Sequence, residues 1–176
     1  MKQLLIPILI SSLLLAGCGD PGADHAHHGM DHSKAAVPAP PVDPISVVNG
    51  VTIVEMTGND RMKYNLETFT VPAGSPVKLL FSNVGKMPKT SMGHNVVFLA
   101  PTADEKAFVT AAASSRDSGY IPVSMKDQVL FATKMLGPGE TDTVEYSAPS
   151  EPGEYVFLCT FPAHMYAGMR GVMIVE

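Results

Sequence analysis

Beyond residue 45 the chain is a succession of short apolar and β-branched runs, several alternating with polar residues and separated by turn residues. Val51-Thr52-Ile53-Val54-Glu55-Met56 lies between Gly50 and Gly58. Leu66 to Val71 alternates in part, with Thr68 and Thr70 on one face and Phe69 on the other. Val77-Lys78-Leu79-Leu80-Phe81 follows a Pro-Ala-Gly-Ser-Pro turn. Val96 to Leu99, Val129 to Thr133, Thr141 to Ser147, Gly153 to Leu158 and Arg170 to Glu176 continue the series. Such residues suit a pleated, half-buried surface, and strands at this spacing predict an all-β sandwich. No internal repeat is apparent.

One stretch breaks the pattern. Thr102-Ala103-Asp104-Glu105 has the capping-box form, and helix formers follow to about Ala113. This predicts one short helix outside the sandwich, with a flap as the alternative reading. Val84 to Ser91 carries no period and reads as an irregular loop delivering Gly93 and His94.

Ahead of residue 45 the chain changes character. Lys2 precedes an apolar run from Leu4 to Leu15, too short for a confident membrane-spanning helix but suited to a signal segment over 1–17. Leu15-Ala16-Gly17-Cys18 resembles a bacterial lipobox. That resemblance implies cleavage before Cys18, lipidation of its thiol and a place in the bacterial cell envelope, facing the periplasm from the inner or outer membrane. Residues 18–44 then form a linker, rich in Pro and Ala towards its end, that cannot bury much apolar surface. Within it His25, His27, His28 and His32 stand among Asp24, Met30 and Asp31. They are either an auxiliary metal site or a polar spacer. Residues 45–176 are left as one domain.

Charge narrows the function classes. The chain carries 12 Lys and Arg against 17 Asp and Glu, a net charge of −5, and has no Gly-rich phosphate loop. A negative surface argues against nucleic acid as a partner.

The candidate chemistry lies in Cys159-Thr160-Phe161-Pro162-Ala163-His164-Met165-Tyr166-Ala167-Gly168-Met169. This loop joins the apolar run Tyr155-Val156-Phe157-Leu158 to the strand from Arg170, so its side chains sit on rigid shoulders. A thiolate, an imidazole and a thioether together suit copper, and a His₂Cys site with a long axial Met is the blue-copper arrangement. The second histidine is His94, in Ser91-Met92-Gly93-His94-Asn95. Beyond the tail the chain holds one Cys and two His, and all three fall where such a site needs them.

Met-Gly-His94-Asn and Cys159-Thr-Phe-Pro-Ala-His164 resemble the cupredoxin family, and within it azurin and auracyanin. Gly58-Asn59-Asp60-Arg61-Met62 and the turn Leu136-Gly137-Pro138-Gly139-Glu140 are also similar to azurin. The similarity runs over roughly residues 45 to 176. It implies a Greek-key β-sandwich with one type 1 copper at one end. There are two departures. Four residues separate His164 from Met169, one more than in azurins, where auracyanin is closer. Thr52 and Ser75 stand at the positions that correspond to the azurin disulfide. With Cys18 expected to carry lipid and Cys159 metal, no disulfide is expected.

The resemblance implies His94, Cys159 and His164 as a trigonal plane, Met169 as the axial ligand and the Gly93 carbonyl as a second axial contact. It implies a hydrogen bond from Asn95 to the Cys159 loop through Thr160. Phe161 is expected to pack beside the site and keep water out. His164 is expected to show its edge, ringed by Met92, Pro162, Ala163, Met165 and Tyr166 as a small docking surface, with Met165 the outermost. Redox encounters of this kind bury less than about 1,200 Å².

Two functions compete. The first is a tethered carrier passing single electrons between partners such as cytochromes, a copper reductase or a terminal oxidase. The second is copper storage or delivery using the site and the His-rich tail. A copper enzyme needs an open coordination position or a second metal, and the domain holds no spare histidine to build one. The domain is expected to act as a monomer.

Overall fold

The structure, a computed structural model, describes residues 43–176. The signal segment, Cys18, the histidines at 25, 27, 28 and 32 and most of the linker lie outside the described residues.

Ten strands follow in order: β1 (Ile45–Val48), β2 (Val51–Asn59), β3 (Lys63–Tyr64), β4 (Thr68–Val71), β5 (Pro76–Asn83), β6 (Val97–Leu99), β7 (Val129–Ala132), β8 (Thr141–Ser147), β9 (Gly153–Leu158) and β10 (Arg170–Val175). They form two five-stranded sheets. The first runs β1-β2-β5-β8 with β3 on β2, and the second runs β4-β10-β9-β6-β7. The β2–β5 and β4–β10 pairs are parallel, and the other pairs are antiparallel.

Alternation decides which side chains go inside. In β5 every second residue (Val77, Leu79, Phe81, Asn83) is buried, and β10 repeats the pattern with Gly171, Met173 and Val175. A period of two puts these residues on one face. The inner faces meet in a core that includes Val54, Met56, Leu79 and Phe81 from one sheet and Phe69, Phe98, Phe157 and Met173 from the other. Their rings meet edge-on or tilted, as aromatic quadrupoles prefer, with Phe69 and Phe98 at 6.3 Å and 80°.

Strand β6 is buried at all three positions because both of its faces are covered. Its outer face, with Leu158, lies under the helix α2 (Glu105–Ala112) through Phe108 and Val109. The helix starts two residues later than the capping-box pattern suggests. The capping side chain is Asp104, which accepts from the amides of Lys106 at 2.9 Å and Ala107 at 3.1 Å. Thr102 is therefore not the cap, and Glu105 reaches away from the helix end to form a two-pronged ion pair with Arg170 of β10 at 2.8 and 2.9 Å. That pair fastens the helix to the second sheet.

The loop from Val84 contains one helical turn, α1 (Lys89–Met92), directly before Gly93. Two stretches of 3₁₀ helix, Arg116–Ser118 and Val123–Gln128, lead from α2 to β7. The helix expected outside the sandwich is thus joined by three shorter pieces. No helix among the described residues is long and apolar enough to cross a membrane.

Candidate metal centre

The loop after β9 and the segment before β6 meet at one end of the sandwich. The ligand atoms of His94, Cys159 and His164 lie within 4.8 Å of one another, and all three residues are buried. Cys159 Sγ is 3.4 Å from His164 Nδ1 and 4.0 Å from the Gly93 carbonyl. The two imidazole rings are 4.9 Å apart, centre to centre.

Local structure explains why the loop brings its side chains together. Pro162 and Ala163 occupy the corner of a turn closed by the His164 amide donating to the Phe161 carbonyl at 3.1 Å. Ala163 sits there at φ 70°, a left-handed value that costs a non-glycine residue about 1–2 kcal/mol. One helical turn follows and ends in a Schellman cap. The Met169 amide donates to the His164 carbonyl at 2.9 Å, and the Gly168 amide donates to the Met165 carbonyl at 2.9 Å. Gly168 supplies the positive φ, 94°, that this cap demands. A Schellman cap brings the side chains at its two ends into proximity, and here those ends are His164 and Met169. The four residues between them are what one such cap needs.

Other parts of the chain hold this loop in place. The Cys159 amide donates to the Met169 carbonyl at 3.0 Å. Lys63 of β3 donates from Nζ to the Ala167 carbonyl at 3.1 Å. On the opposite side, His94 exchanges backbone hydrogen bonds with Leu136 at 3.0 and 2.7 Å. Asn83 reinforces this bridge by donating to the Leu136 carbonyl at 3.1 Å. The two ligand-bearing segments are then tied to each other. Asn95 donates to Thr160 Oγ1 at 2.8 Å and accepts from the Thr160 amide at 2.9 Å, as the resemblance implied.

Burial sets the electrostatics. It pushes the Cys159 thiol up to about 12, against backbone hydrogen bonds from Asn95 and Phe161. It lowers His164 to about 4, and the neighbouring His94 adds to the fall. Burial also lowers His94, partly opposed by the charge of Asp60 and the nearby backbone of Asn59. A cation at this point reverses the thiol's preference, because a coordinating thiol is deprotonated outright.

The residues fit a metal. Both ring nitrogens of His94 are buried and have no hydrogen-bond partner. A buried donor or acceptor left alone costs about 1–3 kcal/mol, so such a group calls for a partner of another kind. Two neutral imidazoles, a thiol convertible to thiolate and a wholly buried thioether at Met169 make a soft donor set that suits copper.

The expected residues divide as follows. His94, Cys159 and His164 converge, and Met169 packs in the same end of the core, its Cε and the His94 Cβ both bordering the space above Gly58. The Gly93 carbonyl faces Cys159. Phe161 packs against His164 with ring centres 4.6 Å apart and a tilt of 36°. The docking expectation is only partly met. Pro162, Ala163 and Tyr166 are exposed, and Met92 is half-buried. His164 does not show its edge: it is 2% exposed, because Phe161 and the loop close over it. Met165 is not the outermost residue either. It is 8% exposed and packs beneath α2 with Phe108 and Val109.

Some contributors carried no chemistry in the sequence. Tyr64 is buried between the sheets and donates from its hydroxyl to the Asn95 carbonyl. Asp60 accepts from the amides of Lys86 at 2.8 Å and Met87 at 3.3 Å, pinning the loop ahead of α1. Both lie in or just after the Gly58–Met62 segment, whose pattern pointed to the region but not to these roles.

Comparison with known proteins agrees with the site. The family of copper binding proteins described as plastocyanin/azurin matches residues 51–176. Azurin from Pseudomonas aeruginosa is 36% identical over 127 residues, covering 70% of this chain and 84% of that protein. Auracyanin-B from Chloroflexus aurantiacus is 32% identical over 125 residues, covering 70% of this chain and 52% of that protein. Among solved structures, dithionite-reduced auracyanin from Roseiflexus castenholzii superposes with a TM-score of 0.59 at 32% identity, covering 74% of this chain and 99% of that one. Azurin iso-2 from Methylomonas sp. strain J gives 0.62 at 29% identity, covering 70% and 97%.

Proposed function

The chain belongs to the plastocyanin/azurin family of copper-binding proteins, and on that premise we propose that it is a membrane-tethered carrier of single electrons. Its relatives support a type 1 copper electron-transfer protein. The observation that carries the reading is the convergence of His94, Cys159 and His164 within 4.8 Å, with both His94 nitrogens buried and unpartnered. His94, Cys159 and His164 would hold the metal, with the Met169 thioether and the Gly93 carbonyl as further donors beside them. Copper bound there supplies a one-electron Cu(I)/Cu(II) couple.

The chain's own part is to keep these side chains still. The Leu136 bridge and the Schellman cap each fix one ligand-bearing segment, and the Asn95–Thr160 pair ties the two together. Positions set by backbone hydrogen bonds do not rearrange when the charge changes, so little reorganisation opposes transfer. Phe161 and the buried surroundings exclude water, which favours a carrier over a catalyst. Pro162, Ala163 and Tyr166 offer exposed apolar surface on the ligand loop for brief contacts with partners such as cytochromes, a copper reductase or a terminal oxidase. The lipobox-like run ending at Cys18 supports a lipid anchor in the bacterial cell envelope, facing the periplasm.

Copper delivery is the second reading, favoured by the histidines at 25, 27, 28 and 32. Cycling the copper-loaded chain between oxidation states with a Cu(I) chelator present separates the two. A carrier keeps its metal through repeated cycles. Loss of copper to the chelator on the first reduction would establish delivery instead.

A further inference from the structure

A second feature lies beside the site. A cavity of about 790 Å³ opens between α1, the 3₁₀ turn at Arg116 and strands β7 and β8. That volume is in the range of small-molecule sites, about 300–1,000 Å³. Its charge runs against that of the protein. The chain carries a net −5, yet the cavity wall holds Lys89, Arg116 and Lys134 against the single carboxylate of Asp142. Lys89 is balanced by Glu140 at 2.9 Å. Lys134 meets Asp142 only at 3.6 Å with an 84% exposed side chain, and Arg116 has no ion pair among the described residues.

The cavity is joined to the metal centre by contact. Tyr120 lines it and packs against Phe161 at 5.1 Å with the rings tilted by 53°, and Phe161 packs against His164 at 4.6 Å with a tilt of 36°. Met135 lines it as well, and its sulfur lies against Gly93, 3.0 Å from where a Cβ would stand. Tyr120 holds a left-handed backbone at φ 62°. Strain of this kind in a non-glycine residue persists only where the surroundings over-determine it, and it clusters at functional sites.

We propose that this cavity is a separate electron-entry site that takes a small anionic one-electron donor, held by Arg116 and Lys134 over the Tyr120–Phe161–His164 contacts. Transfer of one electron leaves the donor oxidised by one and the metal centre reduced by one, with no bond made or broken. The proposal rests on the electron-carrier reading above and names a donor class for it.

The test uses the full chain and two probes. Redox-inert hexacyanocobaltate(III) is titrated into the metal-free chain, and amide shifts are followed by NMR. Shifts are expected at Arg116, Gly119 and Lys134. Separately, reduction of the copper-loaded chain by hexacyanoferrate(II) is timed in wild type, in Arg116→Ser/Lys134→Ser and in a control of equal charge change outside the cavity, Lys78→Ser/Lys126→Ser. The cavity variant is expected to slow by about tenfold, the scale of electrostatic focusing by a charged cleft, and the control far less. Reduction by cationic hexaammineruthenium(II) is expected not to slow in either. Equal slowing in the two variants, or shifts absent from the cavity residues, would overturn the proposal. If wild type takes up no electron from either donor, the carrier reading fails rather than the cavity.

Discussion

The Met169 amide donates to the His164 carbonyl across 2.9 Å, and this hydrogen bond brings together two of the side chains proposed to hold copper. It closes a cap whose left-handed position is Gly168 at φ 94°. Gly168→Ala adds a methyl that meets Lys63 Nζ as well as an unfavourable φ. The expected outcome is a loss of about 1–2 kcal/mol of stability in chemical denaturation, together with a changed visible spectrum of the copper-loaded protein. A stability loss with an unchanged spectrum would mean that the cap does not place Met169.

Asn95 and Thr160 join the two ligand segments by two buried hydrogen bonds of 2.8 and 2.9 Å. Asn95→Ala removes both and leaves the Thr160 amide buried without a partner. Stability is expected to fall by about 2–3 kcal/mol, read from denaturant midpoints of the metal-free and loaded proteins. Thr160→Ser keeps the hydroxyl and is expected to behave nearly as wild type.

Gly58 lies under the site. A Cβ there would stand 2.8 Å from Met169 Cε, 3.1 Å from Phe81 Cζ and 3.3 Å from His94 Cβ. Gly58→Ala is expected to cost about 1–3 kcal/mol through overpacking and to displace Met169, the only flexible neighbour. A shifted reduction potential checks the displacement. An unchanged potential would place Met169 away from the metal.

The metal-free chain should be sensitive to acid and to base. His164 titrates near 4 in the folded state, below its ordinary value, so the unfolded chain binds more protons at intermediate pH. Stability from this group is full above about 6.5 and is lost as pH falls through 4. Cys159 is pushed up to about 12, so the unfolded chain loses its proton first. Stability therefore also falls as pH rises from about 8.5 towards 12. Denaturation midpoints across this range should show both slopes. Copper displaces the protons from both groups, so loading should abolish the loss at high pH while stability still falls as pH drops.

Much of this was legible in the sequence, for identifiable reasons. The strands announce themselves wherever one face is buried and the other wet, as in β5 and β10. His94, Cys159 and His164 stood out because the domain contains no other His or Cys. The misread features depend on what packs over them. Met165 looked like a surface residue because nothing in a short loop reveals that α2 will cover it. His164 closed up for a related reason, since Phe161 folds back over its ring. Thr102 and Asp104 both suit a helix start, and only the backbone path decides between them. β3 spans two residues, too few for a period, yet it carries Lys63 to a carbonyl at the far end of the chain.

The central claim is that Cys159, with His94 and His164, holds copper in a type 1 site. The direct measurement is the visible absorption and spin-resonance spectrum of the full chain loaded with one equivalent of Cu(II). The account predicts an intense blue band and narrow copper hyperfine splitting, both lost in Cys159→Ala. A pale solution with ordinary wide splitting, unchanged by that substitution, would contradict it.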